Sequence, residues 1–186
     1  MNNWFPLHCH SDRSLLDGLS KPEQIADRCK ELGLKGSAIS DHGSCSAVVT
    51  FTKAMNKHGL KPVRGNEFYL CPHDASDKSP ENDKRSHLVV LAKNHAGWLN
   101  LVKATSASNQ PEFFYRKPRL DLDRLAAFGG GNFVTFSGHP GSDLANVIFK
   151  DIKAAYGART REAALAVKEV IVPVPTPPTQ TDSPIR

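Results

Sequence analysis

A chain of 186 residues can bury one substantial core and is too short for a large multidomain enzyme. Its four cysteines, Cys9, Cys29, Cys45 and Cys71, include no Cys-x-x-Cys pair, which excludes a zinc ribbon and a dithiol redox motif and reads as free thiols. The net charge of +5 is spread over many segments and names no partner; with no apolar run of about eighteen residues and no basic-then-apolar leader at Met1-Asn-Asn-Trp-Phe-Pro6, a soluble, cytoplasmic protein with no membrane partner is expected.

In chain order, Trp4 to His10 reads as a short strand with Leu7 inward. Lys21 to Leu32 has apolar residues at Ile25, Ala26, Cys29 and Leu32, a helical period, with Ser20 as N-cap, Pro22 in the first turn and Gly33 past the end. Lys35 to Ser40 is a second strand, Ala47 to His58 a helix closed by Gly59, and Pro62 to Leu70 a third strand. The polar stretch Cys71 to Arg85 predicts a surface loop, followed by a strand at His87 to Lys93 and a helix at Ala96 to Ser106. Phe133 to Ser137 is a fifth strand after the glycine run Gly129 to Gly131. Arg161 to Val172 looks helical, and Pro173 to Arg186 is proline-rich with little to bury, so a domain over 1–172 and a disordered tail over 173–186 are expected. Strands alternating with helices predict parallel βα units, in an open sheet or a barrel, with ligands at the C-terminal strand ends.

The histidines and acids fall at those ends. His8 and His10 close the first strand, Asp41 and His42 the second and Glu67 the third; His87 opens the fourth and His139 follows the fifth. Two apart on a strand, His8 and His10 project from one face and can share a cation. His58 and His95 read as exposed helix-end residues and His73 as part of a polar loop. One such histidine has a bland explanation, but His, Asp and Glu recurring at five strand ends match what a polynuclear hydrolytic site requires. A carboxylate such as Glu67 can bridge two cations while imidazoles complete each shell, and closely spaced metals clamp a phosphate and lower the pKa of bound water to about 7.

The segments His8-Cys-His-Ser-Asp-Arg-Ser-Leu-Leu-Asp-Gly18, Ile39-Ser-Asp-His-Gly43, Lys61-Pro-Val-Arg-Gly-Asn-Glu-Phe-Tyr69, His87-Leu-Val-Val-Leu-Ala-Lys-Asn94, Tyr115-Arg-Lys-Pro-Arg-Leu-Asp121 and Phe136-Ser-Gly-His139 follow one another in order. Together with the helix at 161–169 they resemble the PHP domain (polymerase and histidinol phosphatase family) of bacterial DNA polymerase III alpha subunits, over roughly residues 4 to 170. The resemblance implies a distorted (β/α)7 barrel holding up to three divalent metals, zinc, manganese or iron, on nine ligands. It implies phosphoester hydrolysis, which in some polymerases serves 3′-to-5′ exonuclease proofreading. By the same resemblance, His8 and His10 hold a first metal with Glu67, Glu67 bridges to a second held by His87 and His139, and Asp17 with His42 holds a third; Asp41 orients His42 from behind. Histidine at 139 is like the standalone phosphoesterases of the family, where polymerase versions commonly have cysteine.

The family's remaining two ligands come from a late Asp-x-His motif that does not occur after His139, so an incomplete barrel is expected, with the second metal site best retained. The expected substrate is a DNA 3′ end or another phosphoester, with Lys84, Arg85, Arg116, Lys117 and Arg119 as candidate phosphate contacts. The competing readings are a non-catalytic, metal-stabilised module that binds replication proteins or a chain supplying the missing strands, and a small-molecule phosphatase.

Overall fold

The computed structural model describes residues 4–15, 17–138 and 140–150. His139, the expected helix at 161–172 and the tail at 173–186 lie outside the described residues. The elements run α1 (Pro22–Glu31), β1 (Gly36–Ile39), α2 (Val48–Lys57), β2 (Lys61–Leu70), a 3-10 turn (Pro80–Asp83), β3 (Ser86–Ala92), α3 (His95–Ser108), β4 (Arg119–Leu120), α4 (Leu122–Gly129), β5 (Phe133–Phe136) and α5 (Asp143–Lys150). None of the described helices is long and apolar enough to cross a membrane.

The three helices and four strands expected between Lys21 and Ser137 form within a residue or two of their sequence bounds, the strand expected at Trp4 to His10 does not form, and β4, α4 and α5 are additional. Lys21 rather than Ser20 caps α1, its N–H donating to Gln24 Oε1 at 2.9 Å, because Pro22 needs no hydrogen-bond acceptor at the first helical position. Residues 4–10 lie beside β1 without being part of the regular sheet: Ala38 N donates to Pro6 O and Ser40 N to Cys9 O, both at 2.8 Å. Leu7 is not inward. It is 46% exposed, and Cys9 packs on the core in its place.

The sheet is mixed, contrary to the parallel βα units that alternation suggests. In its order β1-β2-β3-β5, β1 pairs parallel with β2, whereas β2 with β3 and β3 with β5 are antiparallel; β4 adds a short parallel pairing to the end of β2. The cause is the connection from β2 to β3. It holds a 3-10 turn and no crossover helix, so the chain doubles back. Among the described strands the sheet is open rather than closed into a barrel, with β5 paired on one side.

Period-two alternation divides the sheet into two faces. Phe68, Leu70 and Val90 point to one face, where Leu101 and Ala104 of α3, Leu125 of α4, and Leu120 and Phe133 cover them. A second core joins Ile25, Ala26 and Cys29 of α1 to Val48, Phe51 and Met55 of α2 and Ile39 of β1. The other sheet face carries a smaller apolar cluster, Ala38, Val89 and Leu91. Beyond it on the same face, Glu67 and Tyr69 of β2 stand beside His87 of β3, which is paired with Tyr69.

The stretch Cys71 to Arg85 is not a plain surface loop, because it is folded around two buried polar side chains. Asn82 is fully buried, its Oδ1 accepting from His73 N and its Nδ2 donating to the carbonyls of Asp74 and Asp77. Arg119 is also fully buried, and its guanidinium donates to the carbonyls of Asn82 (2.9 Å), Ala75 (3.2 Å), Asp77 (2.5 Å) and Phe113 (3.3 Å). It is thus closed to phosphate, contrary to its place among the candidate contacts, since it is fully buried and all three of its nitrogens donate to backbone carbonyls.

Arg119→Ala strands those carbonyls in a buried site, where unsatisfied groups cost roughly 1–3 kcal/mol each before relaxation. Urea unfolding should show a loss of about 3 kcal/mol, with Arg119→Lys recovering part of it because an ammonium cannot span the same acceptors. A loss below about 0.5 kcal/mol would show that the 71–85 segment holds itself.

Candidate metal centre

Six of the seven expected site residues converge around Glu67: His8, His10, Asp17, His42, Glu67 itself and His87. The chain brings them there by three routes. Residues 8 and 10 come from the extended segment beside β1. His42 lies just past β1, where the backbone continues along β2: Glu67 N donates to Asp41 O (3.1 Å), Gly43 N donates to Glu67 O (2.9 Å), and His42 forms an isolated bridge with Glu67. His87 reaches Glu67 diagonally across the β2–β3 pair.

The Glu67 carboxylate is completely buried. His8 Nε2 lies 2.6 Å and His10 Nε2 3.1 Å from Oε2, and His87 Nδ1 lies 3.0 Å from Oε1. His42 Nε2 is 3.8 Å from Oε2 and 3.2 Å from Asp17 Oδ2, which is also 3.6 Å from His10 Nδ1. The rings of His10 and His42 stack with centroids 4.6 Å apart and planes 8° from parallel.

Burial pushes the Glu67 carboxyl up, but hydrogen bonds from His10, His8 and His87 and the charge of His42 outweigh it and hold the group well below the usual carboxylate range. The stacked imidazoles move apart. For His10, the desolvation that lowers its pKa is overcome by the hydrogen bond and charge of Glu67, and the result is raised; for His42, burial reinforced by His10 and His87 leaves it lowered. Burial raises all four thiols, Cys9 to about 11, so none is a ready nucleophile.

Three overlapping groups could each hold a cation: His8, His10 and Glu67; His10, Asp17 and His42; and His42, Glu67 and His87. Two observations fit that use. His10 Nδ1 and His42 Nδ1 are buried without a hydrogen-bond partner, an unusual state for ring nitrogens. The ligand atoms of His8, His10 and Glu67 are separated by 2.6, 2.9 and 3.1 Å. That spacing is near the ~3.3 Å between atoms each about 2.0–2.1 Å from a tetrahedral ion. Imidazole with carboxylate is a donor set for zinc, manganese or iron.

Asp41 does not orient His42 as the resemblance implies. It is 2% exposed, and its two oxygens accept from Ser11 N (2.6 Å) and Ser11 Oγ (2.8 Å), fixing the turn that follows His10. Ser14 ties His42 instead, its Oγ accepting from His42 N at 3.2 Å and donating to Asp17 Oδ2 at 3.4 Å. Tyr69 was missed by sequence reasoning, although its place two residues after Glu67 puts it on the same face: its ring stacks on His42 at 5.3 Å and meets His87 edge-on at 5.0 Å. Gly138, at φ 75°, was also missed; a Cβ there would lie 3.2 Å from His8 Cε1 and 2.9 Å from Val89 Cγ2, so the chain passes the His8 ring too closely for a side chain.

An α/β domain with a mixed sheet thus crowds imidazoles and carboxylates around Glu67 of β2 in donor sets that could ligate cations. The chain belongs to the PHP domain family, whose model matches residues 6–173. The DNA polymerase III alpha subunit of Chlamydia pneumoniae is 35% identical over 153 residues, 81% of this chain and 12% of that protein. That of Borreliella burgdorferi is 40% identical over 131 residues, 69% of this chain and 11% of that protein. The chain therefore spans about an eighth of the length of these relatives. Among solved structures, a Bifidobacterium adolescentis protein with a provisional metal-dependent phosphoesterase assignment is 19% identical over 93% of this chain and 58% of its own, with a TM-score of 0.38.

Glu67 and His10 set a pH signature for the metal-free protein. The lowered Glu67 pKa contributes stability that is present above its ordinary 4.5 and lost as pH falls below it; the raised His10 pKa contributes stability that is full below its ordinary 6.5 and lost as pH rises through the folded value. Thermal unfolding in chelator should show the gap between wild type and Glu67→Gln widest between about pH 4.5 and 6.5, shrinking on both sides. A gap that grows below pH 4.5 would contradict this pairing.

Proposed function

We propose that this domain is a metal-dependent phosphoesterase that removes nucleotides from DNA 3′ ends, a 3′-to-5′ exonuclease. The observation that carries the reading is the buried Glu67 carboxylate ringed by His8, His10, His42 and His87, with Asp17 at the open side. Such a cluster is a poor nucleophile and a good ligand set. Divalent metals held there supply two things, a clamp on phosphate oxygens and a bound water with a pKa of about 7.

Each chain residue has a defined task. Glu67 stays ionised and accepts from opposite sides, through Oε2 toward His8 and His10 and through Oε1 toward His87, which suits it to serve two cations at once. His10 and His42, stacked and sharing Asp17, would hold a further one, and ligation requires His10 to give up the proton that Glu67 favours. His139 would join Glu67 and His87, as the resemblance implies. The polymerase relatives support a nucleic-acid substrate, and this stretch of chain carries the hydrolytic part of that reading, not a polymerase active site.

Among the described strands β5 is paired on one side only, which favours a second reading, that of a metal-stabilised module whose β5 edge takes strands from another chain. One experiment separates the two. Purified protein should contain two or more transition-metal ions per chain by elemental analysis and release nucleotides from a 3′-labelled single-stranded oligonucleotide in manganese. His8→Ala should lower that release at least about 100-fold, since a truncated ligand lowers both metal occupancy and rate. Bound metal without cleavage would support the module; neither metal nor cleavage would contradict both.

A further inference from the structure

The turn at residues 115–118 is held in place at a cost in backbone strain. Arg116 has φ 61°, in the left-handed region that favours glycine, and Tyr115 bridges Lys117 across it, Tyr115 N donating to Lys117 O at 3.2 Å. The turn is anchored on each side. Arg116 Nη1 pairs with Asp83 Oδ2 at 3.2 Å, and the buried Arg119 guanidinium lies 5.2 Å from the Tyr115 ring centre. Pro118 seats against Gly43, where a Cβ would come within 2.6 Å of Pro118 Cγ. Gly43 directly follows His42, so the turn rests on the backbone of the cluster.

What the turn presents there is Lys117. Its side chain is exposed, with Nζ 5.5 Å from the centre of the Tyr69 ring, the same ring that stacks on His42 and meets His87. Lys117 stands apart from the neighbouring cations. Arg85 and Arg116 both pair with Asp83 and Arg119 is enclosed by carbonyls; Lys84, like Lys117, has no carboxylate partner among the described residues, but of the two it is Lys117 whose ammonium lies over Tyr69. A charge held over a ring face at the surface is weakly retained and free to exchange that contact for a charge-assisted hydrogen bond to an anionic oxygen.

We propose that Lys117 is the substrate-binding cation of this site: the 115–118 turn holds its ammonium over Tyr69, at the rim of the cluster, where it takes a non-bridging oxygen of a nucleic-acid phosphodiester. The inference rests on the phosphoesterase reading and adds the contact that places the phosphate. It also singles out one of the five basic residues that the sequence offers.

The test is binding of a fluorescein-labelled ten-nucleotide oligothymidylate with phosphorothioate linkages to the full chain in manganese, followed by anisotropy. Lys117→Gln should weaken binding about tenfold, and Lys117→Arg, which keeps the charge, should stay within about threefold of wild type. Lys30→Gln, which removes the same charge from exposed α1, should change it less than about twofold. No effect of Lys117→Gln, an equal effect of Lys30→Gln, or no binding by wild type would overturn the inference. Parallel cleavage assays keep the two ideas apart: cleavage by wild type with no Lys117 effect overturns this contact alone, whereas a Lys117 effect on binding without metal uptake or cleavage overturns the phosphoesterase reading alone.

Discussion

A carboxylate removed from water must be paired, and Glu67, with no exposure at all, is paired by imidazoles on several sides. That requirement organises the rest of the fold. It demands that the segment bearing His8 and His10, the end of β1 and the start of β3 all meet around one point of β2. It also leaves those imidazoles close to one another, with two ring nitrogens buried and unbonded. Such crowding is tolerable when the imidazoles share a cation, and costly otherwise.

The ten-residue β2 makes this convergence possible because different partners use different parts of it. Its first half pairs with β1, its second half with β3 and β4, and Glu67 falls in the second half, just past the reach of β1 proper. The bonds between residues 41–43 and Glu67 carry the β1 line one step further and set His42 beside the carboxylate. Small polar residues then fix the approach of each ligand segment: Ser11 on Asp41, and Ser14 on His42 and Asp17. Beyond the rim, the buried Arg119 organises 71–85 on one side and supports the 115–118 turn on the other, linking a stability residue to the candidate substrate face.

Much of the cluster was legible in the sequence because strand ends and period-two spacing are local signals. His-x-His at 8 and 10, Asp-His at 41 and 42, Glu67 and His87 each sit where alternation places them, and Asp17 followed from family resemblance. Strand direction was less legible, although the sign was present. The stretch 71–85 reads as polar loop rather than helix, and two strands joined without a crossover helix pair antiparallel. Partner choice was not legible. Nothing local tells that Asp41 bonds Ser11 rather than His42, that Arg119 meets carbonyls instead of phosphate, or that Leu7 stays exposed while Cys9 packs, since each depends on residues tens of positions away.

The central claim is that the imidazoles around Glu67 are there to hold metal. Its most direct test is a crystal structure of the manganese-loaded protein with anomalous data collected at the manganese edge. Anomalous peaks within about 2.3 Å of Glu67 carboxylate oxygens, shared with His8 and His10 on one side and His87 on the other, are the predicted result. A manganese-soaked crystal with no peak at Glu67, its carboxylate bonded directly to the imidazoles, would contradict it.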